Sequence, residues 1–218
     1  MPRRRPSIGL APLVAGMAVD AEPAAEVLDA AEELLRRFGL RRWSMDDVAD
    51  RAGVGRTSVY RLFDSRDALV HAVLARELKR TLAAVEAVAA LHDDLETKTV
   101  EAGLVALAAL RGSVVESLLR SDPATFLPFL TIGAGSLLAL ARERLVAGAG
   151  AAGLRLEPAV AEVAARLGLS FILTRETAFP VDDENEARAV LHRLVRPVLA
   201  GLTRASGLPS QEGAGPVW

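Results

Sequence analysis

An all-α fold with about nine helices is what this sequence predicts, and three observations carry that expectation. Apolar residues recur at spacings of three and four along most of the 218 residues, the period of a helix with one buried face. Hydrophobic residues make up 51% of the chain but aromatics only 4%. Ala, Leu and Val dominate, and aromatic strand formers are sparse. No segment shows a convincing two-residue alternation bounded by turn signals.

The elements follow in order. Residues 1–20, MPRRRPSIGLAPLVAGMAVD, combine Arg3, Arg4 and Arg5 with an apolar run broken by Pro6, Gly9 and Pro12; they read as a flexible basic arm rather than an export signal. Helix from about Glu22 to Phe38 aligns Val27, Leu28, Ala31, Leu34, Leu35 and Phe38, with acids early, arginines late and Gly39 as its stop. Ser44 caps a second helix ending near Ala52, and a third covers about Arg56 to Leu62. Asp64 or Ser65 opens a long fourth helix, faced by Val70, Leu74, Leu78, Leu82, Val85 and Val88 and ending near Leu91. Further helices are expected over about Thr97–Leu119, a short one from Pro123, about Ile132–Ala147, from Pro158 to about Ala178, and from Glu186 to about Arg204, bent at Pro197. The glycines of Gly148–Gly153 have the spacing of a dinucleotide fingerprint but follow a helix rather than a strand, so they read as a mobile connection. The tail 206–218 reads as disordered.

Composition excludes several classes. There is no cysteine, hence no disulfide and no thiolate metal site. His71, His92 and His192 are scattered with no ligand spacing. No nucleophile elbow or phosphate-binding loop is present, and the acids Asp182, Asp183, Glu184 and Glu186 read as a solvated helix start. No catalytic residue, metal or cofactor is expected, and no apolar run reaches the roughly 18–20 residues of a membrane span. A cytoplasmic location is the expectation.

Net charge is −2, so a nucleic-acid role has to rest on a local patch. Arg36 to Arg66 holds eight arginines against four aspartates, a local +4. Within it lies DDVADRAGVGRTSVYRLF, Asp46–Phe63, which includes Tyr60, the only tyrosine. Met45, Val48, Ala49, Ala52, Val54, Val59, Leu62 and Phe63 take inward positions, with the small Ala49 and Gly53 at a sharp reversal. The pattern is that of a helix-turn-helix. Thr57 and Arg61 then share the outward face, flanked by Arg56 and Tyr60. Arginine can pair with guanine edges, and hydroxyl groups can bond phosphate. Trp43 reads as a staple on the second helix.

The stretch AAEELLRRFGLRRWSMDDVADRAGVGRTSVYRLFDSRDALVHAVLARE, about Ala24 to Glu77, resembles the N-terminal domain of TetR-family transcriptional regulators. The resemblance implies phosphate contacts from Ser44, Tyr60 and Arg66, and base-facing positions for Arg56, Thr57, Ser58 and Arg61. Thr57 and Leu62 stand where family members commonly have glycine and an aromatic, and Arg66 replaces a lysine. It implies a DNA-binding domain over 21–68 and a helical ligand-binding and dimerisation domain over 69–205, with the last two helices forming a four-helix dimer interface that includes Val163, Leu167, Leu191 and Leu194. The run LGLSFIL, Leu167–Leu173, is hydrophobic all round and calls for cover on every side.

The expected function is a homodimeric repressor of a pseudo-palindromic operator, released by a small, mainly apolar effector. Pocket candidates are Phe126, Phe129, Phe171, Thr174, Arg111 and Arg175. The two arginines either face the pocket or reach solvent. A regulator with no effector, an activator, and an all-helical enzyme or carrier that retained the fold are the alternatives.

Overall fold

The computed structural model describes residues 25–205, except 152, 154, 175–177 and 180–182; of positions 110, 172 and 201–205 it describes the backbone alone. The basic arm, the tail and Arg175 lie outside the described residues. Ten helices and no strand occur among those described: α1 (Ala25–Phe38), α2 (Met45–Ala52), α3 (Arg56–Leu62), α4 (Arg66–Ala90), α5 (Leu95–Leu110), α6 (Val114–Ser121), α7 (Pro123–Leu130), α8 (Gly135–Ala151), α9 (Pro158–Leu173) and α10 (Glu184–Ala205).

Local chemistry sets the helix ends. Ser65 caps α4 by accepting from Ala68 N–H at 3.1 Å, and Asp94 caps α5 by accepting from Thr97 N–H at 2.7 Å. The single helix expected over Thr97–Leu119 is two helices. Gly112 takes φ +66°, a left-handed stop open to glycine. Ser113 then restarts the chain, its hydroxyl accepting from Glu116 N–H at 2.9 Å while the Glu116 carboxylate accepts from Gly112 N–H. The signal was present as Gly112 followed by Ser-Val-Val-Glu, a capping-box spacing. Two further boundaries move. Helix α8 begins at Gly135, leaving Ile132 in an exposed turn, and it runs on to Ala151. The stretch expected as a mobile connection thus supplies a helical last turn, because alanines between the glycines sustain it. Helix α9 stops at Leu173, short of Ala178.

One core runs through α1–α4, α6 and α7. Val27, Leu28, Ala31 and Leu35 of α1 pack with Val48 and Ala49 of α2, Val59 of α3 and Leu69, Val70 and Val73 of α4, and the same cluster takes in Val114, Leu118, Phe126 and Leu130 of α6 and α7. A smaller cluster joins Val100 and Leu104 of α5 to Ala187 of α10, with Leu191 and Val195 against it. α4 packs along α5, α5 along α10, and α8 along α9. α4 is therefore the element shared by both halves.

Polar links cross the same boundary. Arg76 of α4 is buried, with Nη2 2.7 Å from Glu32 Oε2 and Nη1 2.8 Å from Asp29 Oδ1 of α1. Burial pushes the Glu32 carboxyl up, but hydrogen bonds from Arg36 and Arg76 outweigh it and hold the group below its ordinary value. Glu77 caps α6 by accepting from Val114 N–H at 3.0 Å. Burial raises the Glu77 pKa despite that bond. Ahead of α2, Arg41 donates to Asp122 Oδ2 at 2.7 Å and to Thr125 Oγ1 at 2.8 Å, tying the α1–α2 turn to the α6–α7 junction.

Candidate nucleic-acid interface

The helix-turn-helix is built from short-range chemistry. The Ser44 hydroxyl accepts from Asp47 N–H at 3.2 Å and donates to Asp47 Oδ2 at 2.8 Å, while Ser44 N–H donates to the same oxygen at 2.7 Å. These hydrogen bonds hold the Asp47 carboxyl below its ordinary value. α2 ends at Gly53, φ +67°, whose N–H bonds Ala49 C=O. The chain reverses and Gly55 opens α3. Across the turn, Arg56 Nη1 lies 2.9 Å from Asp46 Oδ2, fixing the first turns of α2 and α3 side by side.

Val59 anchors α3 in the core, fully buried. The other side of the helix is open: Arg56, Thr57, Tyr60 and Arg61 are exposed and Ser58 half-buried. Tyr60 is 52% exposed. Leu62 departs from the inward position expected of it and is partly exposed, because α3 ends there and Phe63 takes the inward place. Trp43 packs into the core as expected, its Nε1 donating to Gly39 C=O at 2.8 Å.

Two expected phosphate contacts are engaged inside the protein. The Ser44 hydroxyl proton goes to Asp47, leaving no donor for a phosphate oxygen. The Arg66 guanidinium lies 4.3 Å over the Trp43 ring and donates to Leu40 C=O. No sequence spacing signals this, since Leu40, Trp43 and Arg66 meet only when α4 folds back over α1 and α2.

Away from this face, an open cleft of about 260 Å³ lies between the α7–α8 corner and α9. Leu130, Ala134, Leu138, Leu169 and Leu173 form its apolar wall, with Thr131, Ser170, Thr174 and Arg166 at its polar edge. Of the pocket residues expected, Thr174 lines it. Phe126 is buried in the main core and sits 6.2 Å from the partly buried Phe129, and Phe171 packs 5.0 Å from Phe179. Arg111 follows the end of α5 and is exposed, on the solvent side of the two places expected for it. Arg166, which the sequence did not single out, is the cleft's cation and also bonds Glu162 at 2.7 Å.

On α9 and α10, Val163 (57%), Leu167 (60%), Leu194 (55%) and Val198 stand exposed. Leu191 turns inward instead, its Cδ1 3.6 Å from where a Cβ on Gly103 would stand.

Residues 27–73 match the family model described as bacterial regulatory proteins, tetR family. The chain is 30% identical, over 195 residues, to an HTH-type transcriptional regulator of Mycobacterium tuberculosis known from two strains; the match spans 85% of this chain and 91% of that one. Its fold is similar to that in the crystal structure of the TetR family repressor AlkX from Dietzia sp. strain DQ12-45-1b, implicated in biodegradation of n-alkanes. The TM-score is 0.61 at 24% identity, over 83% of this chain and 99% of that one. With the helix-turn-helix in place at the matched residues, the chain belongs to the tetR family of bacterial regulatory proteins.

Proposed function

We propose that this regulator is a homodimeric repressor that leaves its operator when a small, mainly apolar molecule enters the cleft beside α9. The observation that carries the DNA face is α3 itself: Val59 buried behind it and Arg56, Thr57, Tyr60 and Arg61 turned to solvent. Arg61 and Thr57 read base edges, Arg56 and Ser58 border them, and the Tyr60 hydroxyl bonds a phosphate. Ser44 and Arg66 serve this face by fixing the start of α2 and the Trp43 platform. The exposed apolar side chains of α9 and α10 support self-association, and two such units placed about 34–36 Å apart enter successive major grooves.

Five apolar side chains and a few polar groups line the cleft, the usual balance of a small-molecule site. Ser170, Thr174 and Arg166 suit a ligand with one carboxylate or other acceptor at the end of an apolar body. Release is a linkage: the ligand has to bind more tightly to the form whose recognition helices no longer fit the grooves. α4 is the connector, since Arg76 and Glu77 on it hold both α1 and α6. A location in the cytoplasm accompanies this reading; no single helix among the described residues is long and apolar enough to cross a membrane.

The test is to select bound fragments from random duplex DNA, then titrate the complex with medium-chain carboxylates and their neutral alcohols. A selected pseudo-palindrome bound by two protomers and released by such a compound is the expected result. A complex with one protomer, or one that no such compound releases while a Leu173→Trp variant behaves as wild type, sinks the repressor mechanism.

A further inference from the structure

We propose that Arg42, which the helix-turn-helix pattern does not include, is the phosphate-binding cation at the start of α2. The proposal rests on the DNA-facing reading of α3 and follows from where each arginine of the basic stretch places its charge. Arg36 pairs with Glu32 and Glu77, and Arg37 lies over the Phe38 ring. Arg41 is bound to Asp122, Arg51 to Glu33 and Arg56 to Asp46. Arg66 is held by Leu40 C=O and the Trp43 ring. Only Arg42 and Arg61 are exposed and make no hydrogen bond, ion pair or ring contact. These two are therefore the exposed arginines of the stretch with no partner among the described residues, one on the recognition helix and one ahead of α2.

The backbone fixes where the second one stands. Its neighbours are anchored on either side: Arg41 reaches to the α6–α7 junction and Trp43 is buried with its ring nitrogen bonded to Gly39. Arg42 is left as the side chain that points outward between them. It lies two residues before the Ser44 cap, at most about 7 Å of chain away, and the Asp46–Arg56 pair holds that end of α2 against the start of α3. In a helix-turn-helix the first helix crosses the DNA backbone while the second enters the groove. At that crossing Ser44 has no donor to give, and Asp47 holds a carboxylate whose protonation is disfavoured. A phosphate approaching there meets a negative charge unless a cation stands beside it, and Arg42 is the one in place.

The experiment measures affinity against salt concentration for the full-length protein on a selected operator and on an unrelated duplex. Arg42→Ala is expected to bind both severalfold more weakly and to lower the slope of log K against log salt by about 0.9 per protomer, one phosphate contact. Arg42→Lys should recover the slope. Arg51→Ala, which removes a cation already paired with Glu33, should leave it unchanged. An unchanged slope in Arg42→Ala, or a change in base preference with the slope intact, overturns the proposal while the DNA-binding reading stands. Wild-type protein that selects no duplex removes the DNA-binding reading itself. Arg42 is exposed, so the variant's thermal midpoint should match wild type; a substantially lowered midpoint would assign Arg42 a structural role instead.

Discussion

Arg61 and Tyr60 differ in what they can do to DNA, and single substitutions should separate them. Arg61→Ala should cost about 1–3 kcal/mol on the selected operator and relax preference at one base pair. Tyr60→Phe should weaken operator and unrelated duplex alike, because a phosphate oxygen carries no base identity. Binding titrations on an operator and its single-base variants check both, and an Arg61→Ala protein with unaltered base preference would place the wrong face in the groove. Gly53 bears on the same face from behind. Its φ of +67° is left-handed and nothing lies within 4 Å of a Cβ built there, so Gly53→Ala meets strain without a clash. Roughly 1–2 kcal/mol of stability should be lost in denaturant melts, with DNA affinity falling as the angle between α2 and α3 opens. The outward set on α3 was legible in the sequence because Val59 fixes the helix's rotation. The engagement of Ser44 was half legible: Ser-x-x-Asp signals a cap, but not that the hydroxyl proton is used up in it.

Between elements, Glu77 joins α4 to α6 through a buried carboxylate, and this gives a pH signature. Burial raises its pKa in the fold, so the folded protein holds this proton more tightly than the unfolded chain. Its contribution to stability is complete below the ordinary value of 4.5 and is lost as pH rises through the raised folded value. Glu77→Gln keeps an acceptor for Val114 N–H and removes the charge. Relative to wild type, its thermal midpoint should therefore improve as pH rises above the ordinary value of 4.5; a difference that is flat with pH, or worsens, contradicts this. Arg41 joins the α1–α2 turn to α7 at the surface, where an exposed pair adds at most about 1 kcal/mol. Arg41→Ala should leave the melt nearly unchanged yet alter how far effector binding shifts operator affinity. Neither link could be read from spacing, because each joins residues that are far apart in the chain.

At the level of the whole molecule, the apolar side chains of α9 and α10 divide by direction. Leu194→Asp or Val163→Asp should give a folded monomer with weakened operator binding, measured by sedimentation and titration. Leu191→Asp should instead lower the melting point, since it puts a charge against Gly103 in the α5–α10 cluster. A Leu194→Asp dimer with normal operator binding would move the interface elsewhere.

By itself the sequence determined most of the helices, the cap at Ser44, a cap at Asp64 or Ser65, the reversal at Gly53 and the outward face of α3. All of these rest on interactions within a few residues, where period, capping chemistry and glycine's left-handed freedom decide the outcome. It also contained the break at Gly112 and Ser113, though the apolar stripe running across that break suggested one helix. Tertiary structure decided which charges remain available. Arg66, Arg41 and Arg76 are spent on Leu40, Asp122 and Glu32, and Arg42 and Arg61 are left to solvent. It also decided that α1 shares a core with α6 and α7, that Leu191 faces inward, and that Arg166 rather than Arg111 stands at the cleft. A charge's partner and a cleft's wall come from segments tens of residues apart, and their meeting depends on how whole helices pack.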